Sequence, residues 1–231
     1  MDTTFGQELA QQKTGSTQPR PQWLTALSIV TIAAVILMAG FALWLLLRSD
    51  TPADNSAEAG FARDMSMHHI QAVEMALITQ ERTEDPEIRV LATDIIITQT
   101  GQIGQMRGWL DAWHLPPNSA DLPMTWMGHP VEGRMPGMAS PEEVAQLREL
   151  PEPEMDALFL QLMIVHHQSG VDMAQAVLDR SDNSTVEFLA GRMVDSQQKE
   201  IDVMNDMLER RGSEPVTEEP VMDGEEEHGQ H

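Results

Sequence analysis

Slid along itself by 98 residues, the chain matches its own sequence. Phe61, Met65, His68, His69, Val73, Met75 and Ala76 recur as Phe159, Met163, His166, His167, Val171, Met173 and Ala174. The register holds without a gap through Leu91-Ala92 with Leu189-Ala190, Gln99 with Gln197, Ile103 with Ile201, Met106 with Met204 and Leu110 with Leu208, roughly a quarter of the aligned positions being identical. A duplicated unit this short cannot bury its own apolar stripe. Two copies must therefore close on each other.

Each copy reads as a helical hairpin. Asp85-Pro86 supplies a cap followed by proline at the first helical position, and Asn183-Ser184 stands at the same place in the second copy. The first hairpin is expected over about Ala57 to Glu81 and Pro86 to Trp113, where Pro116-Pro117 soon follows. The second is expected over about Pro153 to Arg180 and Ser184 to Arg211, closed by Gly212. Between them, residues 114–140 form a crossover rich in Pro, Gly and Met, and Ser140-Pro141-Glu142-Glu143 is a capping box opening a short helix to about Leu150. The fold class is thus all-α, a four-helix bundle of two repeated helical hairpins over residues 59–212.

Ahead of the bundle, residues 23–47 carry no charge. About 25 helical residues reach roughly 37 Å, enough to span a bilayer, whereas the apolar region of a cleaved signal is shorter. Trp23 and Trp44 lie near the ends and Arg48 closes the run. The expected layout is an N-terminal cytoplasmic segment at 1–22, a transmembrane helix at 23–47, a linker at 48–58 and the bundle outside the cytoplasm. The Glu-rich residues 213–231, with His228 and His231, are expected to be a disordered tail. Lys13 and Arg20 before the helix balance Arg48 and Arg63 after it, so the orientation rests on the acidic bulk of the chain.

That bulk is pronounced: 14 Lys+Arg against 37 Asp+Glu give a formal charge of -23. Nucleic acid is excluded as a partner, because phosphate backbones are held by clustered Lys and Arg. With no Cys, disulfides and thiolate metal sites are excluded as well, while Met is abundant at 17 residues alongside 8 His.

On a helical wheel Phe61, Met65, Ala72 and Ala76 line one stripe, with His68 and His69 on either side of it. The second helix lines up Ile88, Ala92, Ile95, Gln99, Met106 and Leu110. A turn near residue 84 sets His68 and His69 opposite Gln99 and Thr100, and Met65 opposite Ile103 with Met106 one turn away. The second copy repeats this layer with Met163, His166, His167, Gln197, Glu200 and Met204. A lone buried Met fills gaps and a lone His finds a hydrogen bond, but four inward imidazoles are costly to bury without partners. Imidazole with thioether and no thiolate selects copper, Cu(I) above all. The bundle segments hold no Glu-x-x-His, which disfavours a di-iron carboxylate centre. Met124, Met127, His129, Met135 and Met138 in the crossover suit either weak Cu(I) capture or a Met-rich lid.

The paired MxMHH and MxxHH cores, the Gln-x-x-x-Ile-x-x-Met of the second helices and Met135-Pro136-Gly137-Met138-Ala139-Ser140 resemble the DUF305 family over about residues 59 to 211. The resemblance implies a ferritin-like bundle, commonly exported or membrane-anchored in bacteria, with some members linked to copper binding and tolerance. It implies metal-binding roles for His68, His69, His166 and His167 and for Met65, Met75, Met106, Met163, Met173 and Met204. The family's Glu in the second helix is kept as Glu200 but is Gln102 in the first copy.

The expected protein is a non-enzymatic, membrane-anchored, extracytoplasmic copper-binding protein, with Gln99 or Glu200 orienting the imidazoles. Its first rival is a scaffold or accessory subunit of another membrane complex, a homo-oligomer included. The second, a metal-oxidising enzyme, is disfavoured by the scarcity of inward carboxylates.

Overall fold

A computed structural model describes residues 22–47 and 51–213, in two compact units divided between Asp50 and Thr51. The expected tail with His228 and His231, and nearly all of the expected cytoplasmic segment, lie outside the described residues.

The first unit contributes one helix, α1 (Gln22–Leu47). Its stretch Ala26–Trp44 has a mean hydropathy of 2.5, and large apolar side chains such as Leu37 and Ile29 are exposed on it. By length and composition this helix is long and apolar enough to cross a bilayer.

In the second unit the helices start where the side chains supply hydrogen-bond acceptors. Ser56 caps α2 (Ala57–Arg82), accepting from the Ala59 amide at 3.3 Å. Asp85 caps α3 (Pro86–Ala112) through the Glu87 and Ile88 amides at 2.8 and 3.4 Å. Ser140 and Glu143 form a reciprocal capping box at α4 (Pro141–Glu149). Asn183 caps α6 (Ser184–Arg210) through the Thr185 and Val186 amides. Each satisfies amides that the helix itself leaves unpaired. The exception is α5 (Glu154–Leu178), whose N-cap is Pro153 with no side-chain bond, so the helix begins one residue later than the proline alone suggests. It also ends two residues short of Arg180, in a turn through Asp179.

Among the described residues there are no strands, and the architecture is two hairpins, α2 with α3 and α5 with α6, joined through α2 against α5. The shorter α4 lies against both central helices. The pairing is antiparallel: Met75 and Ala76 near the end of α2 share an apolar cluster with Met155 and Phe159 near the start of α5. Ala59, Phe61 and Met65 share a second cluster with Met173 and Val177. Between the two clusters every long helix contributes buried polar residues: Ser66, His68 and His69 on α2, Gln99 and Gln102 on α3, His166, His167 and Ser169 on α5, and Gln197 on α6.

The duplication is written into the contacts that close the two hairpins on each other. Thr83 donates its hydroxyl to Asp156 at 3.1 Å, and its counterpart 98 residues later, Ser181, donates to Glu58 at 2.7 Å. Glu58 and Asp156 are themselves 98 apart, so one contact is made twice. Each hydroxyl also accepts the amide two residues on, Asp85 and Asn183, both at 3.1 Å. Arg211 pairs with Asp85 and Arg210 with Glu87, tying the end of α6 to the start of α3.

Thr83→Val strips the only hydrogen bond from a carboxylate that is 3% exposed. It is expected to cost about 1–3 kcal/mol. Ser181→Ala, whose partner Glu58 is half-buried, should cost about 1 kcal/mol. Urea unfolding of the two variants checks this, and an unchanged midpoint for Thr83→Val would refute the latch.

Candidate metal centre

Adjacent residues on a helix point about 100° apart, so one His of each pair faces the other hairpin and one faces its own second helix. His68 stacks on His166 across the α2–α5 contact, ring centroids 3.7 Å apart and planes tilted by 31°. His69 turns to α3, its Nε2 2.7 Å from Gln102 Oε1, and His167 turns to α6, its Nε2 2.7 Å from Glu200 Oε2. His166 Nε2 lies 2.9 Å from the His68 carbonyl oxygen.

Carbonyl and carboxylate oxygens only accept, so His166 and His167 carry their proton on Nε2 and keep the lone pair on Nδ1. Both nitrogens of His68, Nδ1 of His69 and Nδ1 of His167 are buried with no hydrogen-bond partner, as are both amide atoms of Gln99 and Oε1 of Gln197. Gln197 packs so tightly on α5 that a Cβ on Gly170 would stand 2.3 Å from its Oε1. The other copy has Ala72 at that position, a glycine signal visible in the repeat.

All six thioethers carried over from the repeat are fully buried. They divide three and three: Met65, Met106 and Met173 in one apolar cluster, Met75, Met163 and Met204 in the other. The 98-residue shift exchanges the two sets. Met65 and Met163 stand one helical turn from His68–His69 and His166–His167, at the edges of the clusters that flank the polar residues. Among the described residues no three or more His, Asp or Glu side chains gather closely enough to hold an ion. A centre here would need sulfur or amide donors, and buried imidazole nitrogens without partners between two sets of thioethers have the donor chemistry for a soft ion.

His167 meets Glu200, one of the residues expected in its layer, whereas the partner of His69 within the expected Gln99–Gln102 stretch lies at its far end. His69 meets Gln102, not Gln99, and Thr100 faces solvent. Helical side chains lean toward the N-terminus, which in an antiparallel pair shifts one partner away from the turn and the other toward it.

The crossover packs as a lid. Met124 and Met135 are buried in the cluster with Met65, Met127 and Met138 pack against it, and His129 is exposed. Asp64 on α2 accepts from the Met124 amide at 2.8 Å and from the Trp126 indole at 2.9 Å. Gln71 holds both backbone groups of Ala139, and Ser169 donates to the Pro136 carbonyl at 2.7 Å. Gly137, at φ +74, lies where a Cβ would meet Ser169 at 2.5 Å. None of these anchors stood out in the sequence, because each is a lone polar residue on a helix face.

Residues 58–208 match the family described as a domain of unknown function, DUF305. The chain belongs to the DUF305 family. A solved DUF305 protein from Streptomyces coelicolor is 48% identical, covering 72% of this chain and all of that one, with a TM-score of 0.68. A DUF305 fragment from Deinococcus radiodurans is 37% identical over 67% of this chain and 96% of its own, TM-score 0.57. CopM, solved with Cu(I) bound, is 25% identical over 68% of this chain and 97% of its own, TM-score 0.51, and is also solved with Cu(II) and with Ag. The uncharacterized protein L153 of Acanthamoeba polyphaga mimivirus is 34% identical over 83 residues, and the match spans only 49% of its length.

In this DUF305 layer burial dominates the charge state. It pushes His68 down to about 3, with His69 and His167 reinforcing it. It pushes His69 down to about 4, opposed by the Gln102 bond and reinforced by His167. His166 is held well below its ordinary value by burial and then by the other three rings. The folded protein thus keeps these rings neutral while unfolded chains protonate theirs near pH 6.5. Their contribution to stability is complete above about pH 6.5 and is lost as pH falls toward 4, on the order of 1 kcal/mol per ring per pH unit. Denaturant midpoints of metal-free protein should fall steadily over that window, and His68→Asn should flatten the slope. A pH-independent midpoint would contradict the burial of neutral rings.

Proposed function

We propose that this DUF305 protein is a membrane-anchored, extracytoplasmic copper-binding protein without catalytic activity. The observation that carries the reading is the set of buried imidazole nitrogens with no partner, on His68, His69 and His167. Such atoms are costly to bury unless something occupies their lone pairs. Similarity to CopM, a protein solved with Cu(I) bound, supports copper as the occupant.

His69 and His167 would offer Nδ1, His68 either nitrogen, and His166 its remaining lone pair. Sulfur would come from Met65, Met106 and Met173 on one side and Met75, Met163 and Met204 on the other. Gln102 and Glu200, rather than Gln99, orient the rings by hydrogen bonds. Bound copper would supply a soft, redox-active ion held away from water, and sequestering it is the whole of the chemistry proposed. The exposed apolar α1 supports an anchor. We place the N-terminus in the cytoplasm and the acidic bundle outside.

A second reading, an accessory subunit of a membrane complex, is favoured by one feature. A groove of about 410 Å³ opens between α3 and α6, where Ile97 and Phe188 are exposed.

The test is to purify the chain in mild detergent, load it with Cu(I), Cu(II), Zn(II) and Fe(II), and measure stoichiometry. Cu(I) should bind in defined ratio, and the variant with His68, His69, His166 and His167 all changed to Ala should lose it while remaining helical by circular dichroism. If that variant kept copper, the site would be wrong. A metal-free chain recovered with a defined membrane complex would favour the second reading. Since His68 and His69 stay neutral to about pH 4, protons should displace the ion well below the ordinary His range.

A further inference from the structure

The repeat places one residue of each second helix against the second ring of each His pair, and there the two copies differ. Gln102 and Glu200 occupy equivalent positions 98 residues apart, and each lies 2.7 Å from the Nε2 of its ring. The contact is conserved in geometry between the halves and changed in charge. We propose that this one exchange makes the two halves of the layer select ions of different charge, a divalent ion beside His167–Glu200 and a monovalent ion beside His69–Gln102. The proposal rests on the metal-binding reading above.

The argument is charge balance in a desolvated interior. The rings are fully buried, or nearly so, and the remaining buried polar side chains of the layer, Ser66, Gln99, Ser169 and Gln197, are all neutral. Thioethers and neutral imidazoles add no charge either. A divalent ion there faces a large desolvation cost that only a nearby anion offsets, whereas a soft monovalent ion tolerates an all-neutral donor set. Glu200 is 24% exposed and brings the carboxylate to His167. Among the described residues His69 has Gln102, and no carboxylate, as its hydrogen-bond partner.

Glu200 and Gln102 also differ in what they allow the ring to do. A carboxylate accepts only, so it fixes His167 with its proton on Nε2 and its lone pair on Nδ1. A carboxamide presents oxygen or NH₂ by turning over, so Gln102 admits either tautomer of His69. Gln102 also lines the groove between α3 and α6. Gln102 and Glu200 are therefore positioning residues that set the ring and the local charge.

The test compares the detergent-solubilised full chain with Gln102→Glu and Glu200→Gln, using Ag(I) as a redox-inert monovalent probe and Zn(II) as a redox-inert divalent one. Glu200→Gln should weaken Zn(II) binding by about tenfold or more and leave Ag(I) binding unchanged. Gln102→Glu should add Zn(II) binding in the first half. In metal-free protein, ¹⁵N shifts of the imidazoles should show His167 fixed as the Nε2–H form in the parent and freed in Glu200→Gln. His69 should become fixed in Gln102→Glu. Equal loss of Ag(I) and Zn(II) in Glu200→Gln, or tautomers indifferent to both substitutions, would overturn the proposal and leave copper binding standing. A parent that bound neither ion would overturn the metal reading itself.

Discussion

Four imidazoles brought to one level inside a helical core constrain everything around them. Each ring must lose its water, and only three ring nitrogens, the Nε2 atoms of His69, His166 and His167, gain a protein partner in return. The layer divides the apolar interior in two, so the bundle coheres through two separate clusters and not through one continuous core. Phe61 anchors one cluster and Phe159 the other, both fully buried. The hydroxyl–carboxylate latches stand at the outer ends, far along each helix from the rings, where the hairpins would otherwise splay. A polar centre of this kind is affordable because the ends are held independently of it.

Symmetry explains how one short unit solved this twice, and where it breaks shows what the duplicated chain does with the result. The exchange of Met65, Met106 and Met173 for Met163, Met204 and Met75 under the 98-residue shift means each half borrows sulfur from the other. A single hairpin would hold only an incomplete donor set. The crossover exists once, however, and it covers the two central helices from one side through Asp64, Gln71 and Ser169. Among the described residues no second segment covers these helices in the same way, so the layer is asymmetric before any ion arrives. The Gln102 and Glu200 exchange then adds an asymmetry of charge.

Much of this was legible from residue order, for physical reasons that differ by element. Helix starts at Ser56, Asp85, Ser140 and Asn183 are local events, fixed by a cap within three residues, and they fall where the sequence puts them. The start of α5 was harder because Pro153 caps it without a side-chain bond. That the histidines lie inside followed from periodicity, since their apolar neighbours define the buried stripe. Which residue each would touch did not, because helix counting places backbones and the side chains lean: the contact moved from Gln99 to Gln102. The latches and the crossover anchors are long-range pairs of ordinary polar residues and carry no local signature.

Buried polar groups without partners weaken a fold, and a chain that has kept this layer in both copies bears that cost twice. A purely structural layer would be relieved by apolar residues of similar size, which pack as well without the desolvation penalty. The neutral state of His68 and His69 down to about pH 3 and 4 respectively sharpens the point in the other direction: burial has removed them from ordinary proton chemistry. A buried ring that cannot easily take a proton yet keeps an unpartnered lone pair is poorly suited to general acid–base catalysis and better suited to ligating a soft ion. The same burial that costs stability therefore supplies selectivity, because it suppresses the proton as a competitor and penalises hard, strongly hydrated cations. On the proposed copper reading, the instability of the layer and its affinity would have one source, the exclusion of water from four imidazoles.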